Sequence, residues 1–504
     1  MKRLLFSLLL VLVLGGASIS LLPPSHAQSG FTVCDVASGA VCVDPATAEL
    51  EDPDDPDIIP PVGGGFSALA TVGANVLVND PNDLGKPQNE PYIAMNPDTS
   101  SHLMAGGNDY SAPTTSGLGC GIYRSTNGGD AWDPRGFLPL SIGFAAASDP
   151  GLAFGLDLGG GQRRIFYSCV QFNPGPTDGT IFVVFSDDGG VTFPDANRRV
   201  VANGGPTVFQ DKPFIAVDTT NSANRGNVYV SWTRITSNDA SIQVARSTSG
   251  GTAWTIIGTV STAQFNQGSV PFVGPDGTVY VAFARLNPNT IRTNAMFIVR
   301  STDGGVTWSA PITVATGITG LPNNKQGQPQ LVNTKFRVNS FPTAVVDTSS
   351  NPATTGNLYI AWSAYRNATS TNADIFVSRS VDGGLTWSAP LQFGGANDQF
   401  FPWLSVDPNG NLDIVYYSRT NTTKARFNLK HRRSTDGALT FGAETQINDG
   451  GVIKAAQFQG TFIDDYMGAV SSPTRVHPVW MDSRRLKPNS TKVQQDIFGA
   501  AVTP

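Results

Sequence analysis

Histidine, glutamate and cysteine are scarce in this chain of 504 residues, with four of each. Once an N-terminal leader is set aside, only His102, His431 and His477 are left, far apart in sequence. That argues against a histidine-bound zinc and against a Ser-His-Asp triad. No Cys-x-x-Cys spacing occurs, so thiolate metal ligation and a redox pair are not expected either. There is no P-loop and no dinucleotide fingerprint, and no metal or cofactor is expected. Charged residues make up 14% of the chain, and the formal charge of −6 becomes −8 when Lys2 and Arg3 are removed, which argues against a nucleic-acid partner. Helical periodicity is missing beyond the N-terminus. What the chain has instead is 54 Gly and 35 Pro, the makeup of many short strands joined by tight turns.

Six copies of one hairpin signature, Ser-x-Asp-Gly-Gly-x-Thr-Trp or a close variant, order those strands. They run Ser125 to Trp132, Ser186 to Phe193, Ser247 to Trp254, Ser301 to Trp308, Ser380 to Trp387 and Ser434 to Phe441. Their starts are 61, 61, 54, 79 and 54 residues apart, about one per four-stranded sheet. In the clearest copy, Asp303 can accept backbone N–H bonds across its own turn and Gly304 and Gly305 supply positive φ. Thr307 returns the chain to extended geometry and Trp308 anchors the turn on its sheet. Asn127 and Ser249 replace the Asp in the first and third copies while the Gly pair persists, as a structural turn requires and a reactive site would not. The signature resembles the Asp box, or BNR repeat, of the sialidase superfamily. The resemblance covers about Val78 to the C-terminus and implies a β-propeller whose outer hairpins lie away from the active site. It speaks for architecture more than for activity, because Asp boxes also occur in non-catalytic propellers.

A second repeat raises the count of blades. An apolar run led by Pro recurs at Pro91, Pro150, Pro213, Pro271, Pro342 and Pro402, and a seventh copy begins at Tyr466. Such runs suit buried inner strands entered from a loop. Each is followed by an aromatic-rich strand such as Val228-Tyr229-Val230-Ser231-Trp232. Seven inner strands with six hairpins predict an all-β, single seven-bladed propeller over 70–504, its last blade lacking an outer strand. Ala70 to Val78 is expected to supply that strand and close the ring, removing the open edge.

The N-terminus reads as a signal peptide over 1–27. Lys2-Arg3 precede the apolar stretch Leu4 to Leu14, and Ser25-His26-Ala27 ends it, with cleavage after Ala27. Gly15, Gly16, Pro23, Pro24 and the short apolar core argue against an uncleaved anchor, so a secreted protein with no stable membrane insertion is expected. Residues 28–69 form an N-terminal segment whose Glu49 to Gly65 stretch is an acidic, Pro-rich solvated linker rather than a calcium site. An even number of cysteines in a secreted chain predicts two disulfides. Cys34–Cys42 would close a short loop, and Cys120–Cys169 would join facing strands of neighbouring blades.

In a propeller, inner strands begin and second strands end on one face, around the channel. The positions before the Pro column carry carboxylates in blades one, two, three and seven, which are contiguous around the ring. Glu90, Asp149, Asp211, Asp465 and the column-breaking Tyr466 are therefore the candidate catalytic residues. Beyond the aromatic positions of the second strands lie Arg234, Arg285, Arg366, Arg419 and Arg484. They are candidates for binding an anionic substrate at the same mouth, the alternative being that they neutralise nearby carboxylates. Paired carboxylates suit glycoside hydrolysis, and the resemblance adds a Tyr–Glu pair, here Tyr466 with Glu90. The family's Arg-Ile-Pro element is absent, and seven blades stand where sialidases have six. The expectation is thus a sialidase-like glycosidase acting on a carbohydrate, not a sialidase. A propeller that binds a glycan or protein without turnover, a lyase on uronic acids with Tyr466 as base, and a purely structural cell-surface module are the competing readings.

Overall fold

Each sequence repeat folds as an antiparallel four-stranded sheet in the computed structural model, which describes residues 70–173, 178–262, 265–323, 328–421, 424–455 and 458–504. The expected signal peptide, the segment 28–69 and the Cys34–Cys42 bridge lie outside the described residues. From the inner strand outward, blade one is Gln88–Met95, Leu103–Asp109, Gly119–Ser125 and Asp133–Phe137. Blade two is Ala146–Asp157, Arg163–Phe172, Thr180–Ser186 and Arg199–Ala202. Blade three is Val208–Val217, Val228–Thr236, Ala240–Ser247 and Thr255–Thr259. Blade four is Asn266–Val273, Val279–Leu286, Thr293–Ser301 and Ile312–Thr316. Blade five is Thr343–Val346, Leu358–Tyr365, Ala373–Ser380 and Leu391–Phe393. Blade six is Gln399–Val406, Leu412–Arg419, Arg426–Ser434 and Thr445–Gln446.

Blade seven joins both ends of the ring. Its inner three strands are Gly468–Ser471, Val476–Leu486 and Val493–Gly499, and its outer strand is Val76–Leu77 from the N-terminal side. Val76 faces Gly499 and Leu77 faces Phe498, and Val78 N donates to the Ile497 carbonyl at 2.8 Å. Inner strands of successive blades pack side by side, the seventh against the first. The protein is a seven-bladed β-propeller closed by its N-terminal strand, as the repeats predict. Among the described residues no helix is long and apolar enough to cross a membrane.

Blades stack face to face, so both faces of each middle strand are covered and its residues need not alternate. In blade three Val228 to Thr233 are all buried, and Trp232, Trp362 and Trp480 of blades three, five and seven are fully so. Each such side chain contributes roughly 2–3 kcal/mol by burial. The Cys120–Cys169 disulfide joins blade one to blade two, as expected.

The hairpins have the chemistry read from their sequence. Ser301 Oγ donates to Asp303 Oδ1 (2.7 Å) and accepts from Gly305 N (2.8 Å), while Asp303 accepts from the Thr307 hydroxyl (2.6 Å). In the sixth copy Ala438 takes the second glycine position and holds φ +63°. These hairpins are also chained together. Arg124, Arg164, Arg246, Arg300 and Arg379 each reach a glycine carbonyl in the next blade's hairpin: Gly189, Gly250, Gly304, Gly383 and Gly437, at 2.7–3.1 Å.

The inner strands carry the feature that builds the site. Pairing slips just before the Pro in blades one, two, three and six, between Asn89 and Tyr92, Ser148 and Gly151, Asp211 and Phe214, and Phe400 and Trp403. The residue within each slip has a left-handed backbone: Glu90 (φ 50°), Asp149 (60°), Lys212 (50°) and Phe401 (49°). For a non-glycine residue that conformation costs about 1 kcal/mol or more. The bulges turn these side chains inward.

Candidate active site

At the channel centre one ammonium gathers three carboxylates from three other blades. Lys212 Nζ of blade three lies 3.3 Å from Glu90 Oε1 (blade one), 2.9 Å from Asp149 Oδ1 (blade two) and 2.6 Å from Asp465 Oδ2, just ahead of the blade-seven inner strand. All four side chains are at most 2% exposed. Burial alone would strip the Lys212 proton, but Asp149, Asp465 and Glu90 outweigh it and hold its pKa well above 10.5. Two carboxylates sharing that nitrogen at 2.9 and 2.6 Å put Asp149 Oδ1 and Asp465 Oδ2 no more than 5.5 Å apart.

The remaining acceptors are satisfied locally. Asn108 Nδ2 donates to Glu90 Oε2 (2.7 Å) and Asn108 Oδ1 accepts from Asp149 N (2.8 Å), while Ser148 Oγ donates to Asp149 Oδ2 (2.8 Å). Arg337 forks onto Asp465 through Nε (3.0 Å) and Nη2 (2.5 Å). Burial pushes the Asp465 pKa up, but Arg337 and Lys212 together win and hold it below the usual carboxylate value. Its neighbour Asp464 shows the reverse. Burial raises its pKa far above the ordinary range, and the Glu90 N–H (2.6 Å) and Tyr417 hydroxyl (3.1 Å) only partly offset this.

Four of the five candidate catalytic residues thus meet: Glu90, Asp149, Asp465 and Tyr466. The Tyr466 ring lies 5.6 Å from Lys212 Nζ and its hydroxyl is 3.5 Å from the Pro150 carbonyl. Burial, with Glu90 and Asp149 next, raises its phenol well above 10. Asp211 turns aside to blade four, where Gln267 Nε2 donates to it at 3.0 Å.

Four of the five arginines take partners of their own, and for three of them that is the carboxylate-neutralising role weighed as the alternative. Arg285 lies 4.1 Å over the Phe297 ring and reaches Thr262 beyond the outer strand of blade three. Arg366 pairs with Asp374, Arg419 with buried Asp398, and Arg484 with Asp482 and Asp449. Arg234 is half-buried at the end of its strand, opposite Gln210 and Ser241. Carboxylates thus capture Arg366, Arg419 and Arg484, as buried or half-buried cations require.

Lys212 and Arg337 carry positive charge at the channel. Lys212 occupies the same pre-proline column as Glu90 and Asp149, so its signal was in the repeat. Arg337 lies in an insertion between blades four and five, whose trace in the sequence is the 79-residue interval between hairpins. That insertion docks through Arg337 N to the Thr461 carbonyl (2.9 Å) and Asn339 Nδ2 to the Asp465 carbonyl (2.9 Å).

A cavity of about 20 Å³, room for a water or two, opens beside the cluster. Lys212, Asp465, Tyr466, Asn339, Phe341, Phe401 and Trp403 are among its lining residues. Glu90 and Asp149 do not line it. Among the described residues no group of three or more His, Cys, Asp or Glu side chains is placed to hold a metal ion.

No family model matches the chain, so the Asp-box resemblance stands on the hairpins themselves. No curated protein matches it either. Among solved structures it is similar to a protein of unknown function from Dyadobacter fermentans, at 14% identity over 87% of this chain and 100% of that one, with a TM-score of 0.48. An α-L-arabinofuranosidase from Fusarium graminearum matches at 11% identity over 86% of this chain and 98% of its own, with a TM-score of 0.46. The phage phi92 endosialidase matches at 9% identity over 86% and 69%, with a TM-score of 0.47. At such values these likenesses carry no argument about chemistry, and the propeller assignment rests on strand pairing.

Proposed function

We propose that the chain is a secreted glycoside hydrolase that cleaves a glycan at the channel mouth, with Asp465 and Asp149 as its carboxylate pair. The observation that carries this reading is that two carboxylates share one buried ammonium, their nearest oxygens no more than 5.5 Å apart, which is the paired-acid arrangement that glycoside hydrolysis uses. Two further features support it. The carboxylates come from separate blades, and Glu90, Asp149 and Lys212 hold strained backbone, which folds retain mostly where function needs it. Export through a leader cleaved after Ala27 is part of the proposal, and the Cys120–Cys169 bridge suits an oxidising compartment.

Asp465, held ionised by Arg337 and Lys212, is suited to attack the anomeric carbon. Asp149, once parted from Lys212 and carrying a proton taken from solvent, would pass that proton to the leaving oxygen, and as a carboxylate would then take one from the incoming water. Because Lys212 lines the cavity and Asp149 does not, the Lys212–Asp149 contact must open when substrate enters. A cavity of this size admits an exocyclic substituent, so the sugar ring would lie above it. Tyr466, with its raised phenol pKa, is a poor nucleophile and a poor base. The Tyr–Glu mechanism and the uronate-lyase reading lose support accordingly.

Non-catalytic glycan recognition is the second reading, favoured by the completeness of the ion pairing and the small cavity. The test is a screen of sialosides, arabinans, uronic-acid polymers and neutral glycans for released product, with NMR of the first-formed anomer. Asp465→Asn and Asp149→Asn should each lose about 10³-fold or more in kcat with retention of configuration in the parent, while Tyr466→Phe should stay within about tenfold. Binding without product would establish the second reading, and turnover indifferent to both Asp changes would refute the assigned pair.

A further inference from the structure

In five of the seven blades the pairing of the inner strand slips, and the residue within the slip has a left-handed backbone. Glu90, Asp149, Lys212 and Phe401 hold that position in blades one, two, three and six. In blade four, where pairing slips between Gln267 and Val270, it is held by Gly268, with φ 67°. Blade four therefore sends no side chain inward there, and Gly268 itself lines the cavity. Phe341, just ahead of the blade-five inner strand, takes the vacated place. A Cβ on Gly268 would fall 2.6 Å from Phe341 Cγ and 2.7 Å from Phe341 Cβ. Those atoms are the root of the side chain, so turning the ring would not relieve the clash. Phe341 is also tethered: its N–H donates to Asn339 Oδ1 (3.0 Å), and Asn339 Nδ2 donates to the Asp465 carbonyl (2.9 Å). A residue without a side chain and a ring packed against it thus set the size of the cavity beside Asp465.

We infer that Gly268 and Phe341 determine specificity by gauging the substituent a sugar carries where it enters the pocket, admitting a hydroxyl or hydroxymethyl group and excluding an acetamido group. The inference rests on the reading of the mouth as a glycan site, though not on hydrolysis there. About 20 Å³ holds a water or two, which is also the room a hydroxymethyl group takes. Asp465, which lines the pocket, offers the entering hydroxyl an acceptor. An acetamido group has roughly twice as many heavy atoms and would have to displace Phe341, Phe401 or Trp403, and overpacking of that kind costs affinity.

A glycan array of matched terminal residues tests this, glucose against N-acetylglucosamine and galactose against N-acetylgalactosamine, probed with parent, Phe341→Ala and Gly268→Ala. The parent should bind the unsubstituted member of at least one pair about tenfold or more tighter than its acetamido partner. Phe341→Ala should narrow that gap by gaining acetamido binding. Gly268→Ala, whose new Cβ must displace Phe341, should weaken binding of both members. If Phe341→Ala folds poorly, Phe341→Leu carries the test with a smaller narrowing, and the parent's own selectivity is read without any variant. Equal or tighter acetamido binding by the parent would overturn the inference, as would a gap unchanged in the Phe341 variants, or no binding to any member. Binding with this selectivity and no product from any glycan would leave it standing and sink the hydrolase reading. Release of N-acetylhexosamines as fast as of hexoses would do the reverse.

Discussion

Replacing Lys212 by Met keeps the length of the side chain and removes the charge at the centre of the ring. Glu90 and Asp149 then lose the ammonium they share, whereas Asp465 keeps its fork to Arg337. Removing one partner from a buried ion cluster costs about 3–5 kcal/mol, chiefly through the acids left uncompensated. For a ring of this length about 1 kcal/mol corresponds to 1 °C, so the melting temperature should fall by about 3–5 °C at pH 7. The sign of the pH dependence follows from the groups. In the parent, Lys212 sits above its ordinary 10.5, so its contribution is complete below that value and is lost only as pH rises through the higher folded value. Asp465 sits below 3.8, so its contribution is complete above that value and is lost as pH falls through the lower folded one. Both contributions are complete between pH 5 and 8, so the deficit of Lys212→Met should stay about constant across that range.

Guanidinium unfolding of parent, Lys212→Met and Lys212→Met/Asp149→Asn from pH 5 to 8 measures this. The double variant should regain part of the loss at pH 7, because it removes one of the charges that Lys212 had balanced. Equal stability of parent and Lys212→Met at pH 7, or a loss that vanishes within that range, would refute the account of the cluster as a charge-balanced pin.

The parts of this molecule that local chemistry determines were legible in its sequence. A Ser-x-Asp-Gly-Gly turn makes its own hydrogen bonds, so six copies announce six hairpins, and the Pro column counts the seventh blade. Glu90 and Asp149 were legible for a related reason, as exceptions within an aligned column. Lys212 stood in that column too, but its role depends on carboxylates from three other blades, and no single repeat contains them. Arg337 was hidden more deeply, in an insertion with no repeat register to align. The partners of the arginines beyond the second strands were not legible, because strand position does not decide where a long side chain goes. Arg285 went to Phe297 and Arg484 to Asp482, each capturing the nearest partner in or beside its own blade.

Two further measurements address stability away from the channel. The Cys120–Cys169 bridge closes a separation of 49 residues, for which loop-closure entropy gives about 4 kcal/mol; a Cys120→Ser/Cys169→Ser variant should melt lower and be insensitive to dithiothreitol, and an unchanged melting temperature would count against the bridge as a stabiliser. His477 tests the acid limb. Burial, and next the charge of Arg475, lower its pKa to about 4. Above about pH 6.5 it is neutral in both folded and unfolded chains and adds no pH dependence. As pH falls from 6.5 toward 4 the unfolded chain takes a proton that the folded one refuses, so stability declines by roughly 3 kcal/mol across that window. Asp83, raised to about 6, acts in the opposite sense, because the folded chain takes its proton first. Comparing parent with His477→Gln cancels that second effect. The variant's unfolding free energy should fall less between pH 6.5 and 4 than the parent's, and parallel curves for the two proteins would show that His477 is not the group that loses stability there.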